Sequence, residues 1–165
     1  MNNNAVNKNL LTQVTTSLGE SVLQLQEMKA SEGISRLFDF NLCLTSEDQK
    51  VDIKELINQS ITVAVINPGE KKYFNGIVYN VAIEEKKSGL FYHCQVAPKL
   101  AMLQYSKKNR IFQNMDVKTI IKQLLDEYGI SDCDLSGLKS NYPTLEYCVQ
   151  YQESDFEFFS RLLAR

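Results

Sequence analysis

The chain has 165 residues, room for one domain or one and part of another, and 44% hydrophobic residues, an ordinary content for a globular protein with a real core. Lys and Arg number 18 against 20 Asp and Glu, a net charge of -2, so no overall basic field exists to hold a nucleic-acid backbone. No apolar run approaches the roughly 18 to 20 residues that span a bilayer, and the Asn-rich start is not that of a signal peptide, so neither membrane anchor nor leader is expected.

Residues 1 to 9 are polar and aperiodic, and a flexible N-terminal arm is expected over 1–19. From Ser21 the alternation Val22-Leu23-Gln24-Leu25-Gln26 predicts a strand with Leu23 and Leu25 facing inward. Ser31-Glu32-Gly33 supplies a turn into Ser35 to Leu44, the clearest strand, with Phe38, Phe40, Leu42 and Leu44 on one face. Each buried Phe there contributes roughly 1.5 to 3 kcal/mol, so that face belongs in a core.

Ile53, Leu56 and Ile57 have the i, i+3, i+4 spacing of a short helix over 51–57. Ile61 to Ile66 is a β-branched strand stopped by Asn67-Pro68-Gly69, and the next strand starts at Tyr73. Gly76 inside that strand weakens it unless a bulge or a close backbone approach requires it. Ile77, Tyr79, Val81 and Ile83 read as one continuing face, and Glu84 to Gly89 turns the chain into Leu90 to Val96, an antiparallel hairpin. Short strands joined by tight turns predict a small barrel or sandwich over 20–104.

The polar stretch Ser106-Lys107-Lys108-Asn109 marks a boundary, and an α+β segment is expected over 105–165. Asp116 caps a helix whose Ile120, Ile121, Leu124, Leu125 and Tyr128 share a face, closed by Gly129. The chain ends in an alternating strand, Glu146 to Glu153, that runs straight into a helix. Ser154 with Glu157 three residues on forms a capping box, and Phe156, Phe159 and Leu163 recur at helical spacing, with Phe158 and Leu162 beside them. That helix stops at Arg165 with no closing Gly or Asn, and a longer natural protein is expected.

Chemistry is sparse. The four cysteines, Cys43, Cys94, Cys133 and Cys148, form no C-x-x-C pair, and with His93 the only histidine no zinc spacing exists, so reduced structural thiols and no metal or cofactor are expected. No local carboxylate pairs with His93, which reads as an ordinary strand residue. Nucleotide-binding and nucleophile-elbow motifs are absent. Glu153, Asp155 and Glu157 resemble a hydrolase carboxylate cluster, but capping and the helix dipole explain the group. Tyr147 and Tyr151, with Val149 between them on one strand face, are candidates for an intersubunit contact.

Four segments in order carry a resemblance: Gly33 to Phe40 (G-I-S-R-L-F-x-F), Tyr73 to Val78 (Y-F-x-G-x-V), Arg110 to Gln113 (R-I-F-Q), and Glu146 to Leu162 (E-Y-C-V-Q-Y-x-E-S-D-x-x-F-x-x-R-L). They resemble the N-terminal hub region of VgrG, the valine-glycine-repeat spike family of type VI secretion systems, which is itself similar to baseplate hubs of contractile-tailed phages. The resemblance implies an α+β, mainly β fold: a small β-barrel of phage tail hub type followed by the start of a baseplate-like domain. It implies a structural, non-enzymatic hub segment of a homotrimeric spike. The implied partners are the hexameric, Hcp-like tail-tube ring and secreted effectors or a tip protein, with assembly in the cytoplasm followed by secretion or injection. A phage baseplate hub is the nearest alternative; a small glycan-binding or hydrolase domain using the acidic cluster is the one from another class. Gly76, Tyr147, Tyr151, Ser154 and Glu157 are the structural or interface candidates.

Overall fold

The computed structural model describes residues 11–20, 22–46, 51–67, 69–138 and 141–164. The chain divides into two compact units, Met1–Pro98 and Lys99–Arg165, each with its own core.

The first unit is an antiparallel sheet of β1 (Leu11–Thr16), β2 (Gly19–Glu20), β3 (Leu23–Ser31), β4 (Asp39–Ser46), β5 (Ser60–Asn67), β6 (Glu70–Lys86) and β7 (Gly89–Ala97). Their order in the sheet is β2-β1-β5-β6-β7-β4-β3. The sheet curls until β1 lies against β3, but among the described residues no ladder joins the two, so the barrel is incompletely closed there. Its core is built from inward residues of every long strand, including Val14, Leu23, Phe40, Leu42, Leu44, Val63, Val78, Tyr92 and Val96.

Several expectations change here. The arm expected over 1–19 is only partly addressed, because residues 1–10 lie outside the described ones; residues 11–20 form β1 and β2, and Val14 is 2% exposed. β1 is held by its ladder with β5, Leu11 opposite Ile66 through Thr15 opposite Thr62. The strand expected from Ser35 begins at Asp39, because a turn closed by Arg36 N–H on Gly33 O, with Ser35 at φ 57, occupies the preceding residues. The helix expected over 51–57 is a single 3-10 turn, Ile53–Glu55, with no buried residue of its own; Val51 and Leu56 on either side of it are buried. The Val51 N–H donates to the hydroxyl of fully buried Tyr92 at 2.9 Å, which satisfies the polar end of that ring.

The face expected as Ile77, Tyr79, Val81 and Ile83 is broken in its middle. Val78 lies opposite Val96 and Asn80 opposite Gln95, so Tyr79 is an extra residue, a β-bulge. Gly76 and Val78 point inward before it, and Val81 and Ile83, opposite Cys94 and Tyr92, point inward after it. One inserted residue flips the alternation.

The second unit pairs β8 (Lys107–Met115) with β9 (Leu145–Ser154) and packs α1 (Val117–Glu127) and α2 (Asp155–Leu163) over them. The division falls at Pro98/Lys99, ahead of the expected 104/105, because the 3-10 stretch Lys99–Tyr105 belongs to the second core: Leu103 is fully buried there with Leu100 packed beside it. Asp116 caps α1 through Thr119 N–H at 2.8 Å, and Gly129 closes it at φ 60. In α2 the buried residues are Asp155, Phe158 and Leu162, while Leu163, expected in the core, is 53% exposed. Phe158 stacks on Phe112 of β8 at 5.6 Å.

Candidate functional site

The feature that organises the second unit is the corner where β9 becomes α2. Ser154 Oγ accepts the Glu157 N–H at 3.1 Å and Glu157 Oε2 accepts the Ser154 N–H at 2.7 Å, so the capping box is closed in both directions. These bonds hold the Glu157 carboxyl below its ordinary range. Glu153 meets the Arg161 guanidinium at 2.5 Å one face further round.

Asp155 is fully buried between these two acids. Its Oδ1 accepts from Arg110 Nη2 and Gln150 Nε2, both at 2.7 Å, and its Oδ2 accepts from the Tyr128 hydroxyl at 2.6 Å. Arg110 is also bound by Gln150 Oε1 at 2.8 Å and Glu127 Oε1 at 2.7 Å, and Lys108 reaches Glu127 at 2.8 Å and Asp155 at 3.6 Å. Burial alone raises the pKa of Asp155, yet the bonds from Gln150 and Tyr128 and the nearby Arg110 and Lys108 outweigh it, and the carboxyl stays ionised below its ordinary range. Burial and the bond to Asp155 push the Tyr128 phenol up. All four elements, β8, β9, α1 and α2, send a side chain to this point.

Asp155, Phe158 and Leu162 are spaced i, i+3, i+7 and so share one helix face. The buried ion pair therefore sets the rotation of α2, and the neighbouring Phe156 and Phe159 end up only half-buried. The three acids 153, 155 and 157 have separate partners: a surface arginine, a buried arginine network and a helix N-terminus.

The other side of β8 and β9 is bare. Tyr147, Val149 and Tyr151 on β9 and Ile111 on β8 are 61%, 46%, 67% and 65% exposed, with no charged group among them. Ile111 lies directly opposite Val149, and Gln113 opposite Tyr147. Tyrosine-rich apolar patches of this kind are typical of interface cores, and exposed Lys107 lies on the same side at the start of β8.

Gly76 sits elsewhere, in the first unit. A Cβ there would lie 2.6 Å from Val96 Cγ1, 2.8 Å from the Ala97 carbonyl oxygen and 3.1 Å from Phe38, so the strands can approach only over a glycine. His93, expected without a carboxylate partner, has one: its Nε2 lies 2.9 Å from Glu84 Oε2, a contact made across the β6–β7 ladder and invisible to local spacing. Among the described residues no group of three or more His, Cys, Asp or Glu side chains is placed to hold a metal ion, and no helix is long and apolar enough to cross a membrane. The four thiols are free.

Of the candidates read from sequence, Ser154 and Glu157 meet, Tyr147 and Tyr151 share the bare face, and Gly76 is apart. The Arg110, Tyr128, Gln150 and Asp155 network was missed. Its signal lay in the resemblance segments, two of which contain Arg110, Gln150 and Asp155; the fold brings those segments together.

Comparison with known proteins agrees with this architecture. The phage tail baseplate hub (GPD) family matches residues 31–165. The type VI secretion system spike protein VgrG1c of Pseudomonas aeruginosa is 37% identical over 156 residues, covering 93% of this chain and 21% of that protein. VgrG4b of the same organism is 38% identical over 144 residues, 86% of this chain and 18% of that protein. The chain thus spans about a fifth of the length of these relatives. Among solved structures, the E. coli c3393 protein, described as a type VI secretion component with structural similarity to the T4 bacteriophage tail proteins gp27 and gp5, superposes with a TM-score of 0.64 at 24% identity, over 86% of this chain and 42% of that one. The tail protein of Neisseria meningitidis MC58 superposes with a TM-score of 0.61 at 14% identity, over 93% and 45%. The chain belongs to the phage tail baseplate hub family.

Proposed function

We propose that this chain is the structural hub segment of a trimeric, cell-puncturing type VI secretion spike, seating the spike on the tail tube so that sheath contraction drives it into a target cell. The observation that carries the reading is the 37% identity to a spike protein spread over 93% of the chain, a span that takes in both cores. The geometry supports it. A part that transmits force needs packed sheets, satisfied buried charges and apolar faces for neighbours; the first unit supplies the packed sheet and the second the other two. The acids that resemble a catalytic cluster are committed to capping and ion pairing, which supports a non-enzymatic role for this segment.

In this reading the partners are two further copies, a hexameric tail-tube ring of the Hcp kind, and effectors or a tip protein carried on the spike. Assembly takes place in the cytoplasm, and the spike leaves through the apparatus. The bare face of Ile111, Tyr147, Val149 and Tyr151 is where a neighbouring part of the hub sits. The test is deletion of the gene and complementation with wild type or with Tyr147→Ser/Tyr151→Ser. Loss of tube-protein secretion in the deletion, restored by wild type and not by the double variant, is the expected result. Unchanged secretion in the deletion would refute the reading.

The family description and the phage-type tail proteins among the structural neighbours favour a second reading, a baseplate hub of a phage-like particle. In that case the deletion abolishes assembled tail particles while leaving contact-dependent delivery to neighbouring cells intact.

A further inference from the structure

Two sets of groups remain uncovered, one in each unit, and their chemistry matches. β6 pairs with β5 only as far as Ile77, and bonds of 2.8 and 3.0 Å between Val78 and the backbone of Asn58 and Gln59 end that side. From Asn80 to Lys86 the strand is laddered to β7 alone, so among the described residues its other edge offers backbone N–H and C=O groups to no strand. Natural edges of this length are shielded by a proline, a bulge or charged side chains. Here the bulge precedes the free run and the run contains no proline; its shield is the charge of Glu84, Glu85 and Lys86, with Glu85 on the inward side opposite Leu90, so a strand that docks here has to match those charges. Ile83, on the inward side opposite buried Tyr92, is 47% exposed.

β8 has a free edge too, since β9 is its one strand neighbour among the described residues. Along it Lys107, Asn109 and Ile111 alternate on the bare side. Laid antiparallel to β6 with Lys107 opposite Glu85, β8 brings Lys108 opposite Glu84, Asn109 opposite Ile83 and Ile111 opposite Val81. Opposite charges face each other twice and like charges never do; Lys108 and Glu84 already have partners within the chain, so the pair that docking newly satisfies is Glu85 with Lys107. Charge also fixes the register. Slipping β8 two residues toward the hairpin tip sets Lys108 against Lys86 and Lys107 against Lys87; slipping it the other way leaves Glu85 without its lysine and sets Lys107 against Ile83. Glu85 and Lys107 are both exposed and, among the described residues, in no ion pair within the chain.

We propose that the free edge of β6 receives β8 of a second copy of this chain, so that the barrel sheet of one copy continues into the two-stranded sheet of the next. Ile83 and Ile111 then lie on one shared face, shielded from water on the edge side. The two surfaces differ, so the contact is head-to-tail; its closure into a ring of three rests on the spike-hub reading.

The test uses the protein expressed from its natural gene, with exposed Cys133 replaced by Ser in every chain. One preparation carries Ile83→Cys and another Asn109→Cys, two positions that the register sets opposite each other within disulfide reach. Mixed and oxidised, they are expected to yield a cross-linked pair of twice the single-chain mass. Glu85→Lys in the first chain lowers the yield at least tenfold, and Lys107→Glu in the second restores it, a rescue that a misfolded variant would not show. No cross-link between separate chains, a yield indifferent to the charge changes, or a disulfide that forms only when both cysteines are in one chain would overturn the proposal. A wrong spike-hub reading shows separately, as secretion that survives gene deletion while the cross-link still forms.

Discussion

Arg110 and Asp155 are 45 residues apart in sequence and 2.7 Å apart in the fold, with the aspartate fully buried and the arginine side chain 17% exposed. The planar guanidinium is needed there, because its three nitrogens donate one each to Gln150, Glu127 and Asp155. Truncating one partner strands the other's charge in the core. Asp155→Ala should therefore destabilise the second unit by roughly 3 to 5 kcal/mol, and Arg110→Lys should be nearly as harmful as Arg110→Met. Urea unfolding of the single and double variants checks this: Asp155→Leu with Arg110→Met should cost less than the sum of the two single changes.

The same pair gives a pH dependence. Asp155 has a lowered pKa in the folded chain, so the stability it contributes is fully present above the unfolded aspartate value of about 3.9 and is lost as pH falls through the lower folded value. The stability gap between wild type and Asp155→Asn should be constant from neutral pH to about pH 5 and close below about pH 4. Denaturant midpoints measured along that series decide it; a gap that widens in acid would mean the carboxyl is protonated in the native state.

Ser154→Ala removes one arm of the capping box and should cost about 1 kcal/mol, with Glu157→Ala similar or smaller. The readout is the thermal midpoint together with amide exchange of Phe156 and Glu157. Equal exchange in both variants and wild type would show that the cap does not hold the first turn.

Gly76→Ala places a methyl 2.8 Å from a backbone oxygen that cannot swing away. Strand separation is the only relief, and a loss of roughly 1 to 3 kcal/mol is expected in the first unit alone. Probes of the two cores should separate, with the second unit's melting unchanged.

Alkylation should follow burial. Cys133 is exposed, while Cys94 is 1% exposed with its thiol pushed up to about 12 by burial, Cys43 adding to the shift. Iodoacetamide at pH 8 should label Cys133 within the native chain and leave Cys94 untouched until denaturant is added, as peptide mass mapping would reveal.

How far the sequence disclosed all this depends on range. Features written within a few residues were legible: the α1 stripe of Ile120, Ile121, Leu124 and Leu125, its Asp116 cap, the β6–β7 hairpin, and the Ser154–Glu157 box. Features that need a partner far along the chain were not. Tyr79 looks like any member of an alternating run until its cross-strand register shows that it is extra. Val14 is a single buried valine in a polar strand, too little pattern to separate β1 from an arm. The face of α2 was read from its phenylalanines, whereas a carboxylate with a partner on β8 determines it. His93 likewise found Glu84 only through strand pairing.

The length of β6 has a mechanical consequence. Its 17 residues are bonded to β5 along the first part and to β7 along the second, so it is a splice between the two halves of the sheet. A pull along its axis loads both ladders in shear, and many bonds have to fail together. A pull across the sheet would peel them one at a time, each net bond worth only about 1 kcal/mol. The β6 splice is thus strongest against a pull along its own axis and weakest against one that peels it from its neighbours.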